Sequence, residues 1–552
     1  MRGLRLGAAA VFLSGIGCSL LLSTAEPIQC RSQRDCDANP ALRDRVCEDG
    51  FCVVAAPPPG PANIDAGEGC STTTRCTQEN SGKASVCKRA GGFCTPWQTE
   101  QCRLIRGDWA EPDPIVIGTI LPFHVKQANG TYARYEYTER VQRAIDLGLE
   151  ELRAALPDGV PVPAGTPRRF AVLHCDSYLD TQRAKDAMTH LTETVGAQVV
   201  IVGADRDLAA IRPQALAKKT ALVCSDCVAP FPAGALAWRI VPALEQEAAM
   251  AAWRINQLEE QIKSGLTPPS LMKVAVLATP DQAPASFVSA LLDKLRINGS
   301  RVVDDDSALL MRTTEDPTED AVIHEAHADA LAAFEPDVVV VAMGEEFPRR
   351  YLQLLETKWT TAKPKPHYVM TALNLELGPF AAVLGPVDDD LRRRLSGTRP
   401  ALDAALKSNT DAYTLRYKQK HSSEPPDGNF TGYDAFYATA YAVVAAAATA
   451  PVLDGPRIDA SFARLRSGST IDVGPRQLGT GIVLLGNPTG SVDLRGLVTH
   501  LDWDPATRDL VVTESSLFCF ERGADGSLVL RMDAGPRLNT LTGEVSGAYA
   551  CD

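Results

Sequence analysis

Cys224-Ser225-Asp226-Cys227 has the spacing of a redox-active dithiol. In such sites the motif opens a helix, and the helix N-terminus activates the first thiol. Here Val228-Ala229-Pro230-Phe231-Pro232 follows, and two prolines so close together oppose a helix. A structural disulfide is expected instead. His324-Glu325-Ala326-His327 places its two histidines at i, i+3, not at the i, i+4 of a His-Glu-x-x-His metalloprotease. It sits in a charged helical pattern from Glu319 to Ala333 and reads as a solvated face. Gly479-x-Gly481-x4-Gly486 is not followed by a helix pattern, and no Gly-x-Ser-x-Gly elbow occurs. The chain has eight histidines, none in a constellation that would do catalysis. Neither an enzyme nor a bound cofactor is expected.

The elements around these residues are more informative. From Ile115 to Trp359, short apolar runs alternate with helix-patterned stretches in two blocks. The first block holds Ile115 to Leu121, Arg169 to Cys175, Ala197 to Gly203 and Thr220 to Cys224. The second holds Met272 to Ala278 and Pro336 to Gly344. Runs this short and rich in Val and Ile read as strands buried on both faces of parallel sheets. The expected class is α/β, with two sheets flanked by helices in two lobes. Open sheets of this kind take ligands at the carboxyl ends of their strands, so the cleft between the lobes implies binding.

The cysteines and the N-terminus point to export. Arg2 and Arg5 precede an apolar core from Leu6 to Ile16, the pattern of a signal peptide in residues 1–25. Gly15-Ile16-Gly17-Cys18 resembles a lipobox with Cys18 as the lipidated residue; Ser23-Thr24-Ala25 is the rival, ordinary cleavage site. Cys30-x5-Cys36-x10-Cys47-x4-Cys52 is repeated as Cys70-x5-Cys76-x10-Cys87-x6-Cys94, each copy ending in Gly-Phe-Cys. Two small disulfide-stapled modules are expected, at 26–54 and 70–104, joined by a Pro/Gly linker at 55–69. No close Cys-x2-Cys pair or His partner marks a zinc site there. Apart from Cys18, six cysteines lie outside the repeats. Cys519 with Cys551, and Cys175 with Cys224 or Cys227, are the expected pairs, and Cys102 would staple the modules to the first lobe. The net charge of −13 excludes nucleic acid and an electrostatic grip on anionic lipid.

Asp411-Ala412-Tyr413 begins a segment that runs through Glu424-Pro425-Pro426 into Gly428 to Ala447, with Tyr433-Asp434-Ala435 inside it. Ile117-Gly118-x-x-Leu121-Pro122, Asp176, Trp238-Arg239-Ile240 and Leu501-Asp502-Trp503-Asp504 fall before and after it in order. This set resembles the type I periplasmic binding protein family, in its branch of ABC-transporter solute-binding proteins for branched-chain amino acids. The resemblance covers roughly Asp113 to Val512. It implies a two-lobed fold with three chain crossings, and capture of a small-molecule ligand by hinge closure. It places the crossings near Val241, near Thr371 to Asn374, and between Gly474 and Gly496. The lobes would then be 113–241 and 242–374, with 375–490 returning to the first lobe and 491–552 forming terminal strands and a tail. ABC permease subunits would read the closed form. The rival is a lipid-anchored surface receptor that kept the fold without transport and meets a surface protein.

The loops depart from the family. Phe123 and His124 follow the first strand and would line the cleft. Asp205 and Arg206 follow the third, and Ser225 and Asp226 the fourth, where amino-acid binders have Ser- and Thr-rich turns. Glu345 and Phe347 follow the Pro336 to Gly344 run. Asp205, Asp226, Glu345 and Glu346 would make the cleft acidic, offset by Arg206. A cationic, polyol or peptide ligand fits such loops as well as an aliphatic amino acid does.

Overall fold

The computed structural model describes residues 45–48, 51–54, 70, 73–80, 83–88, 93–111, 113–126, 131–163, 165–231, 237–264, 270–302, 310–314, 321–344, 346–385, 389–425, 430–450, 452–497, 499–512 and 514–551. Met1–Ala62 and Asn63–Asp552 are separate compact units. In the first unit, strands Arg45–Glu48 and Phe51–Val54 pair antiparallel, with Cys47 opposite Cys52. The expected signal segment, Cys18, Cys30, Cys36, the 55–69 linker and Glu345 lie outside the described residues.

The second unit contains two large sheets. Strands β1 (Leu104–Gly107), β2 (Ile115–Leu121), β3 (Phe170–Asp176), β4 (Val199–Val202), β5 (Ala221–Cys224) and β6 (Ala237–Arg239) form the first, in the order β6-β5-β4-β2-β3-β1. All pairs are parallel except β1 with β3. Every residue of β2 to β6 is buried, as expected for strands covered on both faces.

Strands β7 (Val274–Ala278), β8 (Leu310–Thr314), β9 (Val338–Ala342), β10 (His367–Met370), β11 (Leu395–Pro400), β12 (Glu514–Arg522), β13 (Leu528–Arg531), β14 (Arg537–Asn539) and β15 (Val545–Ser546) form the second. Their order is β8-β7-β9-β10-β11-β12-β14-β15, with β13 also on β12. The pairs are parallel up to β11 and antiparallel from β12 onward. The tail after the Asp113–Val512 region thus widens the second sheet, and Cys519–Cys551 ties it.

One face of the first sheet packs on helices Glu136–Ala155 and Thr431–Ala447. All residues of the second helix are buried, which explains its Ala-rich, all-round apolar sequence. Gly432 permits the close approach: a Cβ there would lie 2.6 Å from the Val141 carbonyl oxygen. The other face packs on Thr181–Thr189 and Asp205–Lys218, together with Trp97 and Cys102. The second Cys-rich segment is therefore built into the first lobe rather than held apart from it. Its pairs are Cys70–Cys87 and Cys76–Cys94. Cys102–Cys175 staples it to the end of β3.

Two expectations are corrected. Cys175 does not pair with Cys224 or Cys227, which instead pair with each other. In the sheet β5 and β3 are separated by β4 and β2. Three strand spacings put them roughly 14 Å apart, beyond the ~7 Å Cα separation that a disulfide spans. The later crossings also move. The chain leaves the first sheet after Arg239, and Leu244 already lies in the second lobe's core. It stays in the second sheet past 371–374, through β11 to Pro400, and Tyr413 is back in the first lobe's core. It returns between Leu510 and Glu514, because a ribbon of Ser469–Asp472 with Val492–Arg495 holds the 474–496 region on the first lobe. The boundaries at 374 and 490 are therefore too early, and the first lobe begins at β1 rather than at 113. Leu395–Pro400 escapes sequence reading because its polar side chains find partners inside the fold.

Glu247 is one such partner. It is 3% exposed and accepts from Thr398 Oγ1 (2.8 Å) and the Ala372 amide (3.0 Å). Burial pushes its carboxyl from 4.5 up to about 8. Burial likewise pushes Asp434 and Asp207 up to about 7. A folded-state value above the unfolded one means that the native state binds the extra proton. The stability this contributes is fully present below pH 4.5 and is lost as pH rises towards 8. Glu247→Gln is expected to be more stable than the wild type at pH 8, by on the order of a few kcal/mol, and nearly equal to it at pH 5. Urea midpoints at the two pH values check this; a difference between variant and wild type that is the same at both would contradict it.

Candidate functional site

Sheets of this kind take ligands at the carboxyl ends of their strands, and there the lobes touch: Gln282, after β7, reaches the Pro230 carbonyl after β5, and Arg140, on the helix after β2, reaches Glu376 after β10. On the first lobe, Asp176 at the end of β3 organises the entrance. Its Oδ1 accepts the amides of Phe123 (3.0 Å), His124 (3.4 Å) and Tyr178 (2.9 Å). Its Oδ2 pairs with His124 Nδ1 at 2.5 Å. The His124 ring stacks on Tyr178 (centroids 5.0 Å apart), and the Arg183 guanidinium lies 4.2 Å from the Tyr178 ring centre. His124 is thereby fixed in the loop.

Asp205 begins the Asp205–Lys218 helix, and its carboxylate accepts the amides of Val228 and Ala229 at 3.0–3.1 Å. Burial nonetheless raises its pKa. Arg206 is exposed and reaches the Leu179 carbonyl at 3.5 Å, so it does not offset the cleft carboxylates. Cys224–Cys227 closes the loop that carries Ser225 and Asp226. Ser225 is fully buried, and its hydroxyl donates to Asp226 Oδ2 (2.7 Å). Asp226 Oδ1 accepts from the hydroxyls of Tyr137 (2.6 Å) and Thr431 (2.8 Å). Two amides hold Asp205 and three hydroxyls hold Asp226, so neither presents the bare negative charge that the loop sequences suggest.

Three residues further on, the same loop enters the other lobe. Ala229 is part of the second lobe's core, the Leu244 amide donates to the Val228 carbonyl (2.9 Å), and Gln282 reaches the Pro230 carbonyl (3.4 Å). Buried Arg239 clamps the loop from beneath.

On the second lobe, Phe347 is fully buried in the core against Tyr368, 5.5 Å between ring centres, and does not line an open surface. That expectation fails because the turn starting at Phe347 points its aromatic ring back onto the sheet. The cleft instead receives Glu376, from the turn after β10. Arg140, on the first turns of the Glu136–Ala155 helix, donates to Glu376 Oε2 at 2.8 Å across the cleft. Tyr137, Arg140, Thr431 and Glu376 were not singled out by sequence. The only signal for Thr431 was its place just before Tyr433-Asp434-Ala435.

The fold has solved counterparts. The structure matches the leucine-binding protein LivK of Thermotoga maritima at 14% identity and a TM-score of 0.51, over 76% of this chain and 97% of that one. It matches the branched-chain amino acid transporter substrate-binding protein LivJ of Streptococcus pneumoniae, in complex with isoleucine, at 13% identity and 0.53, over 76% and 99%. A solute-binding protein of an R. palustris ABC transporter, in complex with benzoate, matches at 14% and 0.51, over 80% and 99%. The chain has the type I periplasmic-binding fold. No protein-family model matches the sequence, and no curated protein does either. The type I architecture explains the two sheets and the three crossings, while the stapled second Cys-rich segment and the β12–β15 extension account for residues before and after that core. Among the described residues no helix is long and apolar enough to cross a membrane.

Proposed function

We propose that this chain is an extracytoplasmic solute-binding protein that captures a small organic ligand between its two lobes. The ligand would be handed to membrane subunits of an ABC-type importer, with Cys18 as the lipid anchor. The observation that supports this best is the cleft itself. At the carboxyl ends of the strands, Arg140 pairs with Glu376 and Gln282 reaches the Pro230 carbonyl, so each lobe contacts the other across the gap. Proteins sharing the fold bind leucine, isoleucine or benzoate, so amino acids and aromatic carboxylates head the candidates. A polar ligand fits this lining, because it can compete for the hydroxyls of Tyr137 and Thr431 that hold Asp226 and for the Arg140–Glu376 pair.

A thermal-shift screen of amino acids, aromatic carboxylates, polyamines and sugars tests this. A ligand at about 100 times its Kd should add ~2.7 kcal/mol to the folded state. Stabilisation confined to one chemical class supports solute binding. No shift with any class, together with capture of a protein partner, overturns the import reading.

A further inference from the structure

We propose that Arg140 and Glu376 form a latch that holds the two lobes closed without any ligand, so that a ligand enters by competing with a contact the protein makes to itself. This rests on the reading of the cleft as a closing site. Arg140 and Glu376 are 236 residues apart and belong to different lobes. Their side chains are only 21% and 18% exposed, so water screens the 2.8 Å contact incompletely.

Both ends of the latch stand on rigid supports. The Arg140 carbonyl accepts from Tyr417 Oη (3.2 Å), and Tyr137 one turn earlier is tied to Asp226. The turn before Glu376 is held by Asn374, 2% exposed, whose Nδ2 donates to the Met343 carbonyl (2.7 Å). The same turn is held again by Glu247 through the Ala372 amide. A charge pair between two preorganised supports loses little side-chain entropy on forming, unlike an exposed pair of free side chains. Unlike the Val228–Pro230 contacts, which lie beside the chain passage after Arg239, this pair joins the lobes through side chains alone.

The test needs no ligand. The full chain is unfolded and refolded to strip any bound molecule, and lobe separation is read from paired spin labels, one on each lobe. The wild type is expected to show a short, narrow distance distribution. Glu376→Gln is expected to shift it to longer distances, and the charge swap Arg140→Glu with Glu376→Arg should restore the short one. If Glu376→Gln does not fold, Arg140→Gln gives the same reading. A distribution unchanged in the single variants, or a charge swap that stays open, overturns the latch. Because no compound is added, a failed ligand screen would leave this result standing, and a failed latch would leave the screen standing.

Discussion

Arg239→Met is expected to lower stability by about 3–5 kcal/mol, the cost of stranding the partners of a buried charge. Arg239 is fully buried. Its Nε donates to Asp509 Oδ1 (2.8 Å), one terminal nitrogen donates to the Cys227 carbonyl (2.6 Å), and the other to the Ala229 carbonyl. Its guanidinium lies 3.9 Å from the centre of the Phe231 ring. Methionine fills most of the volume but leaves two carbonyls and a carboxylate without their donor. Arg239→Lys should recover only part of the loss, because an ammonium cannot serve three acceptors in the planar fork that fits them. The residue ends β6, immediately before the chain passes to the second lobe. The damage should therefore reach the Cys224–Phe231 loop as well as the global midpoint. Urea unfolding and amide exchange at Val228 and Ala229 measure both. A loss under ~1 kcal/mol would contradict the role given to this clamp.

Replacing Cys102 and Cys175 together by serine is expected to cost about 4 kcal/mol. The bond closes a 73-residue separation, and loop entropy alone gives that magnitude. The loop contains β1, β2 and the Glu136–Ala155 helix, so the bond restrains much of the first lobe in the unfolded chain. Both cysteines are fully buried, and serine hydroxyls in that core add to the cost. The second Cys-rich segment should also loosen. Its other anchors are buried Trp97, the contact of His190 Nε2 with the Trp97 carbonyl (2.6 Å), and the Asp176 amide on the Gln101 carbonyl (2.9 Å). Because Asp176 also orders Phe123 and His124, the loss would extend to the cleft entrance. Denaturation under non-reducing conditions, with exchange followed at Asp176, reads it. Wild-type stability in the double variant would mean that Trp97 and β1 suffice.

The sheets were legible because strands covered on both faces must be apolar along their whole length, as Ile115–Leu121 and Val338–Ala342 are. Leu395–Pro400 was not legible. Its Thr398 is buried, but the partner Glu247 lies 151 positions away, so the run looks like a loop and the second crossing was read too early. The cysteine pairing failed for a related reason: spatial order in a doubly wound sheet is not chain order, and Cys175 ends a strand three places from Cys224. At the cleft, loop positions named Asp205 and Asp226 but not what satisfies them. Two of the three hydroxyls on Asp226 come from residues 89 and 205 positions away. Charge counted along a loop therefore overstated the acidity of the cleft.

The most direct test of the central claim is hydrogen exchange on the full chain, with and without whichever compound stabilises it in the thermal screen. The account requires protection in both lobes at once, around Ser225–Ala229 and Tyr137 on one side and around Ala372–Glu376 on the other. Protection confined to one lobe, or to a surface away from the strand ends, would contradict capture between the lobes.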